Sequence, residues 1–120
     1  MQDLQQKYVE RIWGYYFVLD TIRLSDDMAA LTKRLHIKQG QEISYQRHKY
    51  RKEVWTIAAG EGFFVSEGKE YSVKAGDVLR IDRNELHSIK AHSELVIIEV
   101  QLGYPLMEED IERFDYVWKS

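Results

Sequence analysis

Short runs in which apolar and polar residues alternate fill the chain from Tyr15 onward, as expected for strands that bury one face. Runs rich in β-branched and aromatic residues are predicted as strands: YYFVLD, LTKRLHIK, EISYQRH, VWTIAA, GFFVS, KEYSVK, DVLRI, LHSIK and ELVIIEVQ. Segments that contain Gly, Asp or Asn separate several of these runs, and such residues favour turns. Strands this short predict an antiparallel sandwich or small barrel, because the helices of a βαβ sheet have no room between them.

Both ends of the chain depart from the strand pattern. Asp3 is a candidate N-cap for a short helix over residues 4–11, which contain no Gly or Pro. The tail over residues 105–116 places acidic residues after a proline, which predicts one or two helical turns. We therefore expect one domain over residues 1–120, made of an N-terminal segment, a β-barrel and a helical tail: 1–14, 15–104 and 105–120.

Composition narrows the chemistry that the chain can perform. The sequence has 120 residues, 17 Lys and Arg against 20 Asp and Glu, and no Cys. The absence of cysteine excludes disulfides, thiolate nucleophiles and cysteine zinc sites, so a bound metal needs nitrogen and oxygen ligands. The basic residues are scattered, which argues against nucleic acid and anionic membranes as partners. Without an apolar signal region or a run of about 20 apolar residues, we expect a cytoplasmic location.

Four residues with nitrogen or oxygen donors form a candidate metal site. Gln46 and His48 are two apart and share a strand face, Glu53 opens the next strand, and His87 begins a strand after a turn. This donor set suits zinc, manganese, iron(II), nickel or cobalt, and the residues alone do not choose among them. The alternative is a metal-free polar cluster held by mutual hydrogen bonds.

The segments that carry these residues resemble the two motifs of the cupin superfamily, G(X)5HXH(X)3,4E(X)6G and G(X)5PXG(X)2H(X)3N. Residues 40–60 and 76–91 match both motifs at every interval. Gln46 stands where the first His is usual, and three other positions differ in residue type: Asp82, Asn84 and Ala91. The resemblance implies a double-stranded β-helix, a jelly-roll sandwich or barrel, as the fold.

The string Q-x-H-x-x-R-x-E-x-W is similar to the cupin domain of type II mannose-6-phosphate isomerases, as are the later segments IEVQ and EDIERF. RIWG and KRL, near the beginning, resemble that family too. Two departures stand against it: the tail lacks the family's terminal YGR, and these 120 residues do not include the nucleotidyltransferase domain that often precedes this cupin. A GDP-mannose-forming activity is therefore not implied.

This resemblance implies a sugar-phosphate isomerase that interconverts mannose-6-phosphate and fructose-6-phosphate. It implies one divalent metal, with zinc favoured, on Gln46, His48, Glu53 and His87. The resemblance implies catalytic roles for two cationic residues, Lys33 and Arg113. It implies substrate-binding roles for two others, Arg51 and Arg11. A solvated surface charge is the alternative for these residues, and no general base is assigned.

Two other functions stay open at this point. A non-catalytic cupin that binds a sugar or sugar phosphate is the second hypothesis, and a metal-dependent oxygenase or epimerase, resting on fold analogy alone, is the third. The remaining aromatic, imidazole and carboxylate side chains are interpreted as structural: Trp13 and Trp55 in the core, His36 and His92 on the surface, and Glu99 on the wet face of its strand. Open strand edges favour a homodimer.

Overall fold

The computed structural model describes residues 7–120, and this part of the chain forms strands and no helix. Within the same residues there is accordingly no helix long and apolar enough to cross a membrane. The strands, in chain order, are β1 Lys7–Arg11, β2 Gly14–Ser25, β3 Met28–Ile37, β4 Tyr45–Arg47, β5 Arg51–Ala59, β6 Glu61–Ser66, β7 Lys69–Lys74, β8 Val78–Ile81, β9 His87–Ala91, β10 Leu95–Gly103 and β11 Glu112–Phe114. The predicted all-β class is confirmed.

Two antiparallel sheets make up the fold. The larger has the order β1-β2-β3-β10-β5-β8, and the smaller has the order β11-β4-β9-β6-β7. Their facing sides enclose an apolar core in which Trp55, Ile57 and Ile97 are fully buried. Truncation of either isoleucine to alanine is expected to cost about 2–5 kcal/mol of unfolding free energy, since it leaves a cavity.

The inner face of the larger sheet changes from apolar to polar along its central strands. On β10, Ile97 is followed at the next inward position by Glu99, and all inward residues of this strand are buried. β10 runs antiparallel to β5, where Ile97 lies opposite Ile57 and Gln101 opposite Glu53. The polar side chains of the two strands therefore meet at one end of the sandwich, beyond the apolar core.

The predicted opening helix over residues 4–11 is wrong where the structure describes it. Lys7–Arg11 is strand β1, paired with β2, and the ring of Tyr8 lies 5.1 Å from that of Phe17 between centroids. A stretch without Gly or Pro is a weak helix signal, and pairing with β2 through aromatic cross-strand contacts outweighs it. The proposed Asp3 cap lies outside the described residues.

The helical tail is also wrong. Residues 105–111 form a connector without helical structure, and Glu112–Phe114 pairs with β4, with Arg113 opposite Gln46. Asp110 is one of the acidic residues that suggested a helix N-terminus. Its carboxylate instead accepts hydrogen bonds from the backbone N–H groups of Lys49 and Tyr50, at 2.8 and 2.9 Å. Tertiary hydrogen bonds thus hold the tail at the edge of the smaller sheet, beside β4.

Candidate metal site and cavity

Three of the four predicted metal ligands form a buried cluster at the polar end of the sandwich. His48 follows β4, Glu53 lies on β5 and His87 opens β9, and one donor atom from each lies within 4.8 Å of the others. His48 Nε2 is 3.3 Å from Glu53 Oε2, and all three side chains are at most 3% exposed. Residues predicted together from motif spacing are therefore together in space.

Backbone carbonyls orient both imidazoles. His48 Nδ1 lies 2.8 Å from the carbonyl oxygen of Asp110, and His87 Nδ1 lies 2.8 Å from that of Glu85. Because a carbonyl oxygen only accepts, we assign the proton of each neutral ring to Nδ1. Each Nε2 then carries a lone pair, which is the form in which imidazole binds a metal. Within residues 7–120 the lone pair of His87 is free, whereas that of His48 faces Arg51 Nη2 at 3.4 Å.

His87 Nε2 is the clearest sign of a missing partner. This atom is buried and has no hydrogen-bond partner among the described residues. Burial lowers the pKa of His87 and of His48, so both rings favour the neutral form. A buried nitrogen left without a partner is costly in most proteins, and a metal ion would satisfy it.

Glu53 supplies the negative charge of the cluster. Its Oε2 accepts a hydrogen bond from Arg51 Nε at 2.7 Å, and its Oε1 accepts one from Trp55 Nε1 at 2.9 Å. Burial alone would raise the pKa of Glu53, but the Arg51 guanidinium beside it, through its charge and its hydrogen bond, outweighs burial and holds the pKa below its ordinary value. An ionised carboxylate beside two neutral imidazoles fits a divalent metal.

Gln46 is positioned beside this cluster. It lies on β4 directly opposite His87 in the register of β4 and β9, and its side chain is half-buried. Its Oε1 accepts a hydrogen bond from Ser44 Oγ at 3.0 Å. Its role as a fourth ligand stays a prediction.

Arg51 is buried and hydrogen-bonded, so it is not the solvated surface charge that was the alternative for it. It is 8% exposed, contacts Glu53 as described, and its Nη1 donates to the carbonyl oxygen of Met107 at 3.2 Å. Its Nη2 lies 3.4 Å from His48 Nε2. One guanidinium therefore connects two of the candidate ligands to the connector between β10 and β11.

A cavity of about 600 Å³ opens beside the cluster. His48 and Glu53 are part of its wall, as are all the cationic residues that the sequence singled out: Arg11, Lys33, Arg51 and Arg113. Arg113 is otherwise exposed on β11, and the Lys33 side chain is 14% exposed. The structure thus brings three of the four candidate ligands, Gln46, His48 and Glu53, to the same cavity as the candidate anion-binding residues.

Glu99 faces this cavity, and its assignment to the wet side of β10 is wrong. It is 5% exposed, and its Oε2 accepts a hydrogen bond from Gln101 Nε2 at 2.6 Å. Burial, and then the nearby charge of Glu53, raise its pKa to about 7. The opposite face of β10 carries Val96, Ile98 and Val100, and this apolar run misled the assignment of inside and outside.

The structure also describes the two tryptophans and the two histidines that were interpreted from the sequence as structural. Trp55 is a core residue as expected, with its ring centroid 5.5 Å from that of His87. Trp13 is partly buried and packs against the core, while His92 is exposed. His36 is not a free surface residue, because it is half-buried and stacks on Tyr15 with a centroid distance of 4.5 Å.

Known proteins match this chain over nearly its whole length. Residues 2–116 match the profile of the family described as mannose-6-phosphate isomerase C-terminal. The chain belongs to this family. The resemblance inferred from the string around Gln46 and from the later segments is therefore confirmed.

Two curated relatives illustrate the range of proteins that share this sequence. The chain is 30% identical over 112 residues to the alginate biosynthesis protein AlgA of Pseudomonas syringae pv. tomato, covering 92% of this chain and 22% of AlgA. It is 37% identical over 62 residues to an oxalate-binding protein of Thermotoga maritima, covering 52% of this chain and 51% of that protein. The chain thus spans about a fifth of the first relative and about half of the second.

A solved structure gives the fold its name. A cupin protein from Bacteroides fragilis aligns with 66% of this chain and 70% of its own, with a TM-score of 0.57 and 26% identity. This member of the mannose-6-phosphate isomerase C-terminal family is therefore a cupin. Its candidate metal cluster and cavity lie at the polar end of the cupin sandwich.

Proposed function

We propose that this cupin is a metal-dependent sugar-phosphate isomerase that interconverts mannose-6-phosphate and fructose-6-phosphate. One observation carries the proposal: a buried carboxylate with a raised pKa, Glu99, lines the same cavity as His48 and Glu53. A cavity of about 600 Å³ lies within the range of small-molecule sites. The family membership supports the same substrate class.

Aldose–ketose isomerisation moves a proton between C2 and C1 through an enediol, and it needs a base. Glu99 is our candidate for that base, since it is buried at the cavity wall and burial raises its pKa, to about 7 in the metal-free protein. It removes the proton from C2 of mannose-6-phosphate and delivers a proton to C1, while the hydroxyl proton moves from O2 to O1. Gln101 holds one oxygen of the carboxylate and so orients it.

The metal would be held by the two imidazole Nε2 atoms and the Glu53 carboxylate, with Gln46 as the fourth ligand and zinc as the favoured ion. Such an ion supplies polarisation of the sugar's carbonyl and hydroxyl oxygens. Arg51 and Trp55 fix the orientation of Glu53 by hydrogen bonds to its two oxygens. The chain therefore presents its donors in one orientation before a metal binds.

Cationic side chains complete the proposed site. Lys33 lies directly opposite Glu99 in the register of β3 and β10, and its side chain lines the cavity. We assign Arg113 to the negative charge that develops on the sugar oxygens, and Arg11 and Lys33 to the phosphate. Arg51 lines the same cavity and adds positive charge for an anionic substrate, besides its contact with Glu53.

The alternative is a non-catalytic cupin that binds a sugar or sugar phosphate. The match to an oxalate-binding protein of Thermotoga maritima favours it, because that relative is named for binding. For either function we propose a cytoplasmic homodimer that joins open strand edges. Light scattering should give twice the chain mass of 14.3 kDa, and a mass of one chain would remove the dimer.

Turnover separates the two functions. Purified protein is loaded separately with zinc, manganese, cobalt and iron(II), and conversion of mannose-6-phosphate to fructose-6-phosphate is followed. We expect metal-dependent turnover in the wild type that is lost in His87→Ala. No turnover with any metal, in folded and loaded protein, would reject the isomerase in favour of the binding function.

A further inference from the structure

Three strands present polar groups to a single carboxylate at the cavity wall. Tyr16 Oη donates to Glu108, at 2.7 Å from Oε2 and 3.0 Å from Oε1. Arg11 Nη2 is 3.2 Å from Oε1, and Lys33 Nζ is 3.7 Å from Oε2. Arg11, Tyr16 and Lys33 come from β1, β2 and β3, so adjacent strands of the larger sheet build this group, which we term the anion cradle.

The anion cradle opens into the proposed substrate cavity. All three of its residues line the cavity that also contains Glu53 and His48. Lys33 Nζ lies 4.2 Å from the centroid of the Tyr16 ring, so the ammonium is held against an aromatic face as well as by Glu108. The cradle is thus an assembled anion site, and the chain's own carboxylate is its present occupant.

Glu108 belongs to no strand, unlike the residues that hold it. It lies in the connector between β10 and β11, and its side chain is 51% exposed. Residues on either side are anchored, Met107 by its carbonyl bond to Arg51 and Asp110 by its bonds to the 48–50 loop. Rotation of the Glu108 side chain therefore empties the cradle while both sheets and the candidate metal ligands stay in place.

We propose that the anion cradle is the subsite for the phosphate of the substrate, and that Glu108 occupies it in the free protein and leaves when phosphate binds. The inference rests on the proposed sugar-phosphate function. A guanidinium, an ammonium and a hydroxyl donor match the terminal oxygens of a phosphate, and both cationic side chains are complementary to its charge. A carboxylate and a phosphate do not share such a site, since like charges at contact distance repel.

The Tyr16 hydroxyl can donate a hydrogen bond either to the Glu108 carboxylate or to a phosphate. Burial, then the hydrogen bond to Glu108, raise the pKa of Tyr16 to about 12, so its hydroxyl remains a donor near neutral pH. Burial alone would raise the pKa of Glu108, but Tyr16, Lys33 and Arg11 outweigh it and hold that pKa below its ordinary value. The carboxylate is therefore ionised near neutral pH and competes for the cradle as an anion.

Titration with inorganic phosphate tests the cradle without any turnover. Isothermal calorimetry would compare the wild type with Glu108→Gln, Lys33→Met and the control Glu109→Gln, all at matched metal content. We expect the phosphate affinity of Glu108→Gln to exceed that of the wild type by about 5-fold or more, because the substitution removes the competing charge. Lys33→Met should bind it at least about 5-fold more weakly, and Glu109→Gln, an exposed neighbour, should match the wild type.

Unchanged or weaker phosphate binding by Glu108→Gln, in protein whose thermal unfolding and metal content equal those of the wild type, would overturn the proposal. If Lys33→Met fails to fold, Tyr16→Phe replaces it, since this change removes one donor and keeps the ring. Phosphate binding that follows the prediction in a protein without turnover would keep the cradle and reject the isomerase. Turnover in the wild type, together with phosphate binding that Glu108→Gln leaves unchanged, would keep the isomerase and reject the cradle.

Discussion

His48 Nδ1 lies 2.8 Å from the backbone carbonyl oxygen of Asp110, a residue 62 positions later in the chain. The carboxylate of the same Asp110 accepts hydrogen bonds from the backbone N–H groups of Lys49 and Tyr50, the two residues that follow His48. One residue of the connector thus fixes both the tautomer of a candidate ligand and the loop that carries it. This contact makes the C-terminal connector part of the proposed metal site.

Asp110→Ala should destabilise the protein and weaken metal binding. It leaves two backbone donors without their carboxylate partner, which we expect to cost about 2 kcal/mol of unfolding free energy. Metal affinity should fall about 10- to 100-fold, as it does when partners that orient ligands are lost. Urea unfolding and competition with a chelator measure the two effects, with the exposed Asp115→Ala as the matched control. Wild-type affinity in Asp110→Ala would contradict the positioning role.

Substitution of a single candidate ligand should reduce the amount of bound metal. His87→Ala and Glu53→Ala should each lose most of the bound metal, because each removes a donor from a cluster of three buried side chains. The metal content of dialysed protein, measured by elemental analysis, checks this, and circular dichroism confirms the fold. His92→Ala removes an exposed imidazole and should retain the full content. Full stoichiometry in both cluster variants would reject the ligand assignment.

Glu99 predicts how stability changes with pH in the metal-free protein. Its folded pKa of about 7 lies above the ordinary value of 4.5, so between these values the folded state binds more protons than the unfolded state. The contribution of Glu99 to the unfolding free energy is therefore most favourable below pH 4.5 and is lost as pH rises to about 7. The full change is at most about 3 kcal/mol.

Urea unfolding at pH 5 and at pH 7.5 measures this change. The decline in unfolding free energy that belongs to Glu99 should be absent in Glu99→Gln, and the difference between the two proteins cancels the contributions of other groups. Glu109→Gln changes an exposed carboxylate on the connector and should show the wild-type dependence. The same pH dependence in the wild type and in Glu99→Gln would show that Glu99 has no raised pKa.

Local pattern was sufficient for much of the fold. The alternating runs and the turn residues between them predict strands β2 to β10 from near neighbours in sequence. His87 lies more than 30 residues from Glu53, and its meeting with His48 and Glu53 is predicted by the resemblance to the two cupin motifs. Strand β1 could not be predicted in this way, because Lys7–Arg11 is extended only through pairing with β2. The strand propensities of these residues carry no information about the strand with which they pair.

Contacts distant in sequence account for the other misses. The link from Asp110 to the loop after His48 joins residues about 60 positions apart, and nothing near Asp110 indicates it. Glu99 was misplaced because β10 is apolar on its outer face, and its inner face becomes polar only where the cavity begins. Buried polar residues at a functional site break the pattern on which a prediction of inside and outside depends.

Proton exchange at the sugar tests most directly the claim that Glu99 is the base of a metal-dependent isomerase. Metal-loaded protein is mixed with mannose-6-phosphate in D2O, and deuterium at C2 of mannose-6-phosphate and C1 of fructose-6-phosphate is followed by NMR. We expect incorporation in the wild type and in Glu109→Gln, and a rate lower by about 10²- to 10⁴-fold in Glu99→Gln that retains its metal. Exchange at the wild-type rate in Glu99→Gln, or neither exchange nor turnover in the loaded wild type, would contradict the claim.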